Sequence, residues 1–426
     1  MSTTARAAAL RTRSAFPDPI ELETRHGARN YHPLPVVLTR GEGVWLFDTE
    51  GRRYLDMMSA YSAVSFGHGH PALLAALNEQ AQRLAVTSRA FHTDRLGAFL
   101  QALTQATGMD RALPMNSGAE AVETAIKAAR KWAYKVKGVP EGRARILVAE
   151  GNFAGRTTTI VGFSSEAQYR DGFGPFAPGF ARVPYGDAAA LEAAITPDTA
   201  AFIVEPIQGE AGIVVPPAGY LSAVREICTR HGVLMICDEV QTGLGRTGTM
   251  LACDHEGVKP DGLTLGKALG GGLLPVSAFL AREDVMAQFG PGDHGSTFGG
   301  NPLAAAVGLA ALQTLAHERL AERAREQGEH LTVALQALRH PAILDIRGRG
   351  LLVGVQIDPA FASARAVCEA LMDEGVLTKD THHTVVRLAP PLVIERAQVE
   401  EAVAALGRVL SRVAPRTKPR AALAPV

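Results

Sequence analysis

Lys267 is the residue whose surroundings most favour covalent chemistry. It lies among Leu263, Leu265 and several glycines, with no carboxylate within five positions on either side. A dry, apolar environment lowers the pKa of a lysine, and a lysine that is neutral part of the time can form a Schiff base. An exposed lysine in a flexible turn would have the same local sequence, so this segment alone leaves both interpretations open.

Asp238 favours the first interpretation. It follows the apolar run Val233–Cys237 and precedes Lys267 by twenty-nine residues. Pyridoxal phosphate acts as an electron sink while its pyridine nitrogen is protonated, and a buried carboxylate maintains that protonation. A carboxylate at one strand end and a lysine at another therefore predict a pyridoxal-phosphate site. A role for Asp238 as a helix N-cap would not explain the polar residues that follow it.

The segment Asn116–Glu123 offers a site for the phosphate. Ser117, Gly118 and Ala119 are small residues at the start of a predicted helix, where free backbone N–H groups and the helix dipole favour an anion. Ser117 and Glu120 also have the spacing of a capping box, and both functions can coexist. Ser296 and Thr297, in the glycine-rich loop His294–Asn301, could provide a second anion contact.

Two other ligand classes fit the glycine pattern less well. Gly243–Gly248 matches the dinucleotide motif G-x-G-x-x-G, but five residues separate it from its strand, whereas the motif should follow the strand directly and open a helix. Gly262–Lys267 is one residue short of a nucleotide phosphate loop and is followed by Ala268, where Ser or Thr would hold magnesium. No cysteine or histidine spacing predicts a metal site.

The elements that must position these residues alternate between strands and helices. Arg145–Ala149, Ala201–Val204 and Val233–Cys237 are typical of buried parallel strands. Ala119–Val136 predicts an amphipathic helix whose apolar stripe is Val122, Ile126, Ala129, Ala133 and Val136. We therefore expect an α/β fold with a mostly parallel central sheet and its ligand site at the carboxyl ends of the strands.

The pattern changes after about residue 315, where a charged helix (Ala316–Leu338) leads to Gly348–Gly354, a further helix and the strand Thr384–Leu388. This predicts a smaller α+β domain. We expect an N-terminal segment (1–60) that packs on it through a Val44–Met57 hairpin with its turn at Asp48–Gly51, a large domain (61–314), the small domain (315–413) and a disordered tail (414–426).

Composition excludes several classes of protein. The 426 residues include 43 basic and 43 acidic ones, which argues against a nucleic-acid binder, and no segment has the uninterrupted apolar length of a membrane span. The four cysteines are too dispersed for a disulfide framework. The first fifteen residues, with Arg6, Arg11 and Arg13 and no acid, faintly resemble a mitochondrial transit peptide. We expect a soluble, cytoplasmic protein.

Three motifs together resemble the class III pyridoxal-phosphate aminotransferases of fold type I: the segments that begin at Asp238 and Leu265, and His294–Pro302. The similarity holds from about Arg25 to Leu410. It implies that Lys267 carries the cofactor and moves the substrate proton, and that Asp238 holds the pyridine nitrogen. It further implies that Phe153 stacks on the cofactor ring and that Gln241 forms a hydrogen bond with the phenolic oxygen of the cofactor. The phosphate would be bound by Ser117, Gly118 and Ala119 of the same subunit and by Thr297 of a neighbouring subunit. A homodimer would then be obligatory.

Other segments, among them Asn30–Pro35, Ser59–Val64 and Val204–Glu210, are similar to those of family members that use ornithine. This implies transfer of the δ-amino group of ornithine to 2-oxoglutarate, which gives glutamate 5-semialdehyde and glutamate. Acetylornithine and 4-aminobutyrate are the alternative amino donors. The implied substrate-binding residues are Tyr31 and Arg156 for the α-amino-acid end, Tyr61, and a Glu210–Arg387 gate. Ser117, Ala119 and Ala154 depart from residues that are common in the family at these positions, without loss of a charge.

Overall fold

A computed structural model describes residues 18–413. The arginine-containing start of the chain and the tail predicted from residue 414 lie outside the described residues. The fifteen strands, in chain order, are β1 Leu38–Glu42, β2 Trp45–Asp48, β3 Arg53–Asp56, β4 Arg111–Met115, β5 Arg145–Ala149, β6 Phe180–Val183, β7 Thr199–Val204, β8 Leu234–Asp238, β9 Gly262–Leu265, β10 Ser277–Ala281, β11 Ile343–Arg349, β12 Leu352–Ile357, β13 Val376–Leu377, β14 Asp380–Thr381 and β15 Val385–Leu388.

The described helices have the following bounds: α1 Pro19–His26, α2 Ser59–Ser62 (a single turn), α3 Pro71–Arg83, α4 Leu96–Thr107, α5 Gly118–Trp132, α6 Thr158–Phe163, α7 Ala167–Arg170, α8 Ala188–Ala194, α9 Tyr220–Arg230, α10 Glu283–Met286, α11 Pro302–His317, α12 Leu320–Ala337, α13 Ala364–Asp373 and α14 Arg396–Ser411. Within residues 18–413, no helix combines the length and the apolar character needed to cross a lipid bilayer.

The central sheet has seven strands in the order β4-β10-β9-β8-β7-β5-β6. Its β6-β5-β7-β8-β9 portion is parallel, and only the pairings of β10 are antiparallel. Every residue of β7 and β8 is buried, as expected for parallel strands covered by helices on both faces. The predicted α/β architecture with a mostly parallel sheet is therefore confirmed. The register places Asp238 opposite Thr264, next to the end of β9.

Two four-stranded sheets lie outside the central one, in the orders β1-β2-β3-β13 and β11-β12-β15-β14. The predicted N-terminal hairpin is the antiparallel β2–β3 pair, and Asp48 holds its turn by accepting the backbone N–H groups of Glu50 and Arg52. The pairing of β3 with β13 joins this N-terminal sheet to the C-terminal part of the chain. Residue 315, where a small domain was predicted to begin, lies within α11. The division into domains stays a prediction.

Two helix predictions were wrong at their ends. Val136 does not continue the apolar stripe of α5 but is 49% exposed, because a π-helical turn over Ala133–Lys137 rotates it away from the core. The predicted helix Ala316–Leu338 is instead the end of α11 and the whole of α12. The two are separated at Arg319, whose φ of 52° interrupts the right-handed helix.

Candidate active site

A cavity of about 180 Å³ opens at the carboxyl ends of β7, β8 and β9. This is the edge at which a parallel sheet forms its ligand sites. Seven of the predicted site residues line it, together with residues that sequence reasoning had not selected. The full lining is Gly118, Ala119, Phe153, Ala154, Gly155, Glu205, Glu210, Asp238, Val240, Gln241 and Lys267.

Lys267 lies in a short 3₁₀ turn directly after β9, with a φ of 44°. Burial lowers the pKa of its amine below the ordinary value, and the nearby Arg387 guanidinium lowers it further. The carboxylates of Glu210, Asp238 and Glu205 act in the opposite direction without cancelling the effect. The amine is therefore easier to deprotonate than that of an exposed lysine, which is the property a Schiff-base lysine requires.

Asp238 is the last residue of β8 and is buried. Its Oδ1 accepts hydrogen bonds from Thr264 Oγ1 at 2.9 Å and from the backbone N–H of Val240 at 3.1 Å. Its other carboxylate oxygen has no donor among the described residues. Burial raises the pKa of Asp238 despite these two hydrogen bonds and the proximity of Lys267. A buried carboxylate with a raised pKa and one oxygen unoccupied is suited to hold a cationic N–H group.

The start of α5 forms one wall of the cavity. Ser117 is the N-cap, and the predicted capping box is present: Ser117 Oγ accepts from Glu120 N, while Glu120 Oε2 accepts from Ser117 N at 2.8 Å. A side chain at position 118 would place its Cβ 2.8 Å from Val240, so only glycine fits there. Gly118 and Ala119 are the first two residues of this fifteen-residue helix and line the cavity. Their backbone N–H groups have no acceptor within the helix, and the helix dipole favours an anion at this end.

Glu205 is a residue that sequence reasoning missed. It follows β7 directly and is buried. Its Oε1 accepts from Phe153 N at 2.9 Å, and its Oε2 accepts from Gly209 N at 3.2 Å. Burial and the nearby Asp238 raise the pKa of Glu205 to about 8. This carboxyl group ties the loop that carries Phe153 to the segment that carries Glu210. Its position one residue beyond a buried strand was the signal that could have identified it.

Glu210 and Arg387 form an ion pair, with 2.8 Å between Glu210 Oε1 and Arg387 Nη1. Arg387 is in β15 and only 1% exposed. Burial alone would raise the pKa of Glu210, but Arg387 and Lys267 together with a hydrogen bond from Gln241 Nε2 lower it to about 2. The pair therefore connects a strand of an outer sheet to the edge of the central-sheet cavity, close to Lys267.

Six of the predicted residues do not line this cavity. Ser117 and Arg387 are described above, and the other four are Tyr31, Tyr61, Arg156 and Thr297. Tyr31 is 74% exposed and lines a separate groove together with Tyr61, whose ring centroid is 5.0 Å from the Arg387 guanidinium carbon. The guanidinium carbon of Arg156 lies 3.7 Å from the centroid of the Tyr169 ring. Tyr31 and Arg156 make no hydrogen bond to each other. Thr297 is exposed and makes no hydrogen bond within the described part of its own chain.

The glycine motif Gly243–Gly248 serves packing rather than nucleotide binding. It forms turns after β8, and no helix begins at its end. A side chain at position 245 would meet Leu315 and Leu392, and one at position 248 would meet Arg325, so these glycines permit close contact with α11 and α12. Since a dinucleotide site requires an open helix N-terminus after the motif, this interpretation is rejected.

The fold and this cavity together define a lysine-dependent enzyme of the α/β class, and comparison with known proteins gives its family. The model of the aminotransferase class-III family matches residues 26–410. The chain belongs to this family and has its fold type I architecture. It is 56% identical to the ornithine aminotransferase of Bordetella pertussis over 394 residues, which are 92% of this chain and 96% of that protein.

Solved structures of aminotransferases are also similar to this chain. The ornithine aminotransferase of Toxoplasma gondii superposes with a TM-score of 0.91 at 44% identity, covering 92% of this chain and 93% of that chain, and its active site is partially occupied by pyridoxal phosphate. The acetylornithine aminotransferase of Elizabethkingia anophelis is 53% identical, with a TM-score of 0.85 and coverage of 92% and 98%. The chain is thus an aminotransferase. The two solved relatives are named for different amino donors, ornithine and acetylornithine.

Proposed function

We propose that this protein is a pyridoxal-phosphate-dependent aminotransferase that moves the δ-amino group of L-ornithine to 2-oxoglutarate. The products are glutamate, and glutamate 5-semialdehyde, which cyclises to pyrroline-5-carboxylate. The observation that carries the proposal is the buried Glu210–Arg387 pair at the edge of the Lys267 cavity. The similarity to ornithine aminotransferases over nine-tenths of the chain supports it.

The described residues fit the cofactor. Asp238 has a free oxygen for the pyridine N–H, and Gln241 Oε1 is buried without a hydrogen-bond partner, so it can accept from a ligand hydroxyl. Gly118 and Ala119, capped by Ser117, offer N–H groups to a phosphate, and Phe153 provides an aromatic face. When bound, pyridoxal phosphate supplies the electron sink that stabilises negative charge on the substrate carbon next to the reacting nitrogen.

Lys267 performs the proton transfers in this proposal. Its Nζ would take the proton from the substrate carbon that bears the reacting amine, as a general base, and would then deliver the same proton to the bound cofactor, as a general acid. The lowered pKa of the amine favours the neutral form that the first of these roles requires. Asp238, which is held by Thr264 and Val240, would stabilise the protonated pyridine nitrogen of the bound cofactor.

Glu210 and Arg387 allow one cavity to accept two different substrates. The reacting end of ornithine has no carboxylate, so a free arginine there would bind the wrong end of the molecule. Glu210 neutralises Arg387 during this half-reaction. The carboxylate of 2-oxoglutarate next to the reacting carbon then displaces Glu210 and pairs with Arg387. One carboxylate replaces another on the same guanidinium, so the net free-energy change is small. Arg156 and Tyr31 would bind the α-amino-acid end of ornithine.

A substrate panel tests the proposal. Half-reactions of the purified, yellow holoenzyme with ornithine, acetylornithine and 4-aminobutyrate should rank ornithine first, and the product should react with o-aminobenzaldehyde as pyrroline-5-carboxylate does. Lys267→Ala should abolish all three reactions. A preference for acetylornithine, whose free δ-amine is the reacting group, would make the α-acetylated compound the amino donor and refute ornithine as the substrate, although the protein would remain an aminotransferase.

A homodimer is part of the proposal, since Thr297 is exposed and would complete the phosphate site of a neighbouring copy. Mixed dimers of Lys267→Ala and Thr297→Ala subunits test this. If Thr297 acts across the interface, one of the two sites in the mixed dimer is fully intact and activity returns. If it acts within its own chain, no intact site forms and activity stays at the level of the separate variants. The expected cytoplasmic location stays a prediction.

A further inference from the structure

The turn Ser59–Ser62 has an unusual backbone. Its four residues have φ values of 44, 48, 59 and 74°, so the turn is left-handed, and none of the four is glycine. L-residues avoid this region because Cβ approaches the following carbonyl oxygen, and a run of four requires interactions elsewhere that compensate. Tyr61, the third residue of the turn, is the residue whose ring lies over Arg387.

Asp56 holds the start of the turn. Its Oδ1 accepts the backbone N–H groups of Met58 at 2.9 Å and Ser59 at 2.7 Å. Its Oδ2 lies 2.8 Å from Nε2 of His68. Asp56 is only 3% exposed, so its carboxylate binds these N–H groups from inside the fold and fixes their positions.

Arg246 holds the turn from the other side. It is fully buried, and no carboxylate lies within salt-bridge distance among the described residues. Its Nη2 donates to Ser65 Oγ at 2.9 Å and to Ser59 Oγ at 3.3 Å. Its Nη1 donates to the carbonyl oxygens of Leu351 at 2.9 Å and Pro390 at 2.6 Å. Burial of a charged guanidinium without a carboxylate partner costs desolvation free energy, and the hydrogen bonds to these four neutral oxygens offset part of that cost. Because the guanidinium is planar, the four acceptors must lie in specific positions around it.

The same contacts fix the segment that follows β15. Ser59 Oγ donates to the carbonyl of Ala389, two residues beyond Arg387, at 2.7 Å. The backbone N–H of Leu392 donates to the carbonyl of Ser65, also at 2.7 Å. The left-handed turn and the end of the Arg387 strand are therefore joined through Arg246 and Ser59, outside the cavity itself.

We infer that Arg246 is a positioning residue: through Ser59 and Ser65 it holds the left-handed turn so that Tyr61 stays against Arg387. The effect on substrate rests on the proposed function, in which Arg387 binds the carboxylate of 2-oxoglutarate. Arg246 does not line the cavity and donates no hydrogen bond to Tyr61, so its hydrogen bonds act through the turn and the segment after β15.

Ser59→Ala and Ser62→Ala form a matched pair for the test. Both serines are buried in the same turn, but Ser62 Oγ has no hydrogen-bond partner, whereas Ser59 Oγ joins Arg246 to Ala389. The probe is glutarate, a dicarboxylate without the reacting keto group, titrated into the holoenzyme by calorimetry. We expect Ser59→Ala, which removes the hydrogen bonds to both Arg246 and Ala389 at a distance from the glutarate site, to weaken glutarate binding about fivefold, and Ser62→Ala to leave it within twofold.

Hydrogen exchange gives a readout that does not depend on substrate. The amides of residues 59–66 should exchange faster in Ser59→Ala than in the wild type or Ser62→Ala. Arg246→Lys, which keeps the charge but cannot reach all four acceptors, should show faster exchange and at least a tenfold loss of glutarate affinity. In a Tyr61→Ala background, the effect of Ser59→Ala on glutarate affinity should be smaller than in the wild type, because the part that passes through Tyr61 is lost and only the part that passes through Ala389 remains.

Equal glutarate affinity and equal exchange in the two serine variants would overturn the inference. So would an Arg246→Lys protein that unfolds at lower temperature but binds glutarate like the wild type, since Arg246 would then be purely structural. If the wild type failed to transaminate ornithine while the variants followed the expected order with glutarate, the proposed function would fail and the positioning role would stand.

Discussion

Replacement of Glu210 by alanine separates a gate from a fixed ion pair. In the wild type, Glu210 neutralises an arginine that is 1% exposed. Without it, the nearest anion available to Arg387 is the α-carboxylate of ornithine, which would bring the α-amine rather than the δ-amine to Lys267. We therefore expect Glu210→Ala to increase α-transamination of ornithine relative to δ-transamination. The half-reaction with 2-oxoglutarate should be preserved or improved, because the competing carboxylate is gone.

The size of the change follows from the contact that ornithine gains. A charge-assisted hydrogen bond to a guanidinium contributes about 1.5–3 kcal/mol, and each 1.4 kcal/mol is a factor of ten. The ratio of δ- to α-transfer should thus fall by roughly 10- to 100-fold. Removal of one partner of a buried pair also destabilises the fold, by up to about 3–5 kcal/mol. The cavity beside Glu210 admits water, so we expect the loss of stability to lie below that range.

Ornithine labelled with ¹⁵N at the δ-amine provides the assay. δ-Transfer gives ¹⁵N-glutamate and α-transfer gives ¹⁴N-glutamate, so mass spectrometry of the glutamate formed reads the ratio directly. Glu374→Ala is the control, because it removes a carboxylate that pairs with Arg408 and Arg412 on another part of the surface. It should leave the ratio unchanged. Slowing of both half-reactions to the same extent by Glu210→Ala, with glutamate still labelled as in the wild type, would refute the gate.

Three further predictions concern stability. The pKa of Glu205 is raised to about 8 from its ordinary 4.5, so folding favours the protonated form and wild-type stability should fall as pH rises from 4.5 to 8. Glu205→Gln cannot ionise and should flatten this slope in urea unfolding at pH 5.5 and 8; an unchanged slope would contradict the pKa. Ala60→Gly should stabilise the protein by about 1 kcal/mol in thermal unfolding, because Ala60 is exposed with a φ of 48°; a lower melting temperature would show that the turn is not strained at this residue. Gly328→Ala should destabilise by about 1–3 kcal/mol, since its Cβ would lie 2.1 Å from the Gly350 carbonyl oxygen, whereas Gly97→Ala, in an open helical position, should be neutral or stabilising. Equal effects of these two glycine substitutions would contradict the packing argument.

The sequence predicts those site residues that lie at or just after the carboxyl end of a recognisable strand. Asp238 is the last residue of β8, and Lys267 lies two residues beyond β9. Parallel strands bring their carboxyl ends to one edge, so the proximity of the two residues follows from the strand pattern. The capping box of Ser117 and Glu120 is local in sequence and was equally predictable. Pairing of Glu210 with Arg387 was predicted only by resemblance, because the two residues are 177 positions apart.

Other features depend on contacts that no local pattern encodes. Val136 has the spacing of an apolar stripe, but the π-helical turn that exposes it inserts an extra residue per turn that periodicity cannot reveal. The left-handed turn at Tyr61 has ordinary residues, Ser-Ala-Tyr-Ser, whose backbone is set by Asp56 and Arg246. The position of Glu205 directly after β7 marks it as a candidate, but the two backbone N–H groups that bind it come from separate loops, and no local pattern encodes them.

These non-local features share one physical cause. Lys267 follows a strand of the central sheet and Arg387 lies in a strand of an outer sheet, so a site that uses both must fix the distance between two separate sheets. Apolar packing alone is non-directional and tolerates small shifts, whereas hydrogen bonds from a planar guanidinium do not. Arg246 lies in the glycine motif that follows β8, and its donors reach the turn of Tyr61 and the segment after β15. The glycines around it permit the close approach of α11 and α12 that buries it. A motif that resembles a nucleotide loop in sequence thus acts as the rigid connection between the two halves of the site.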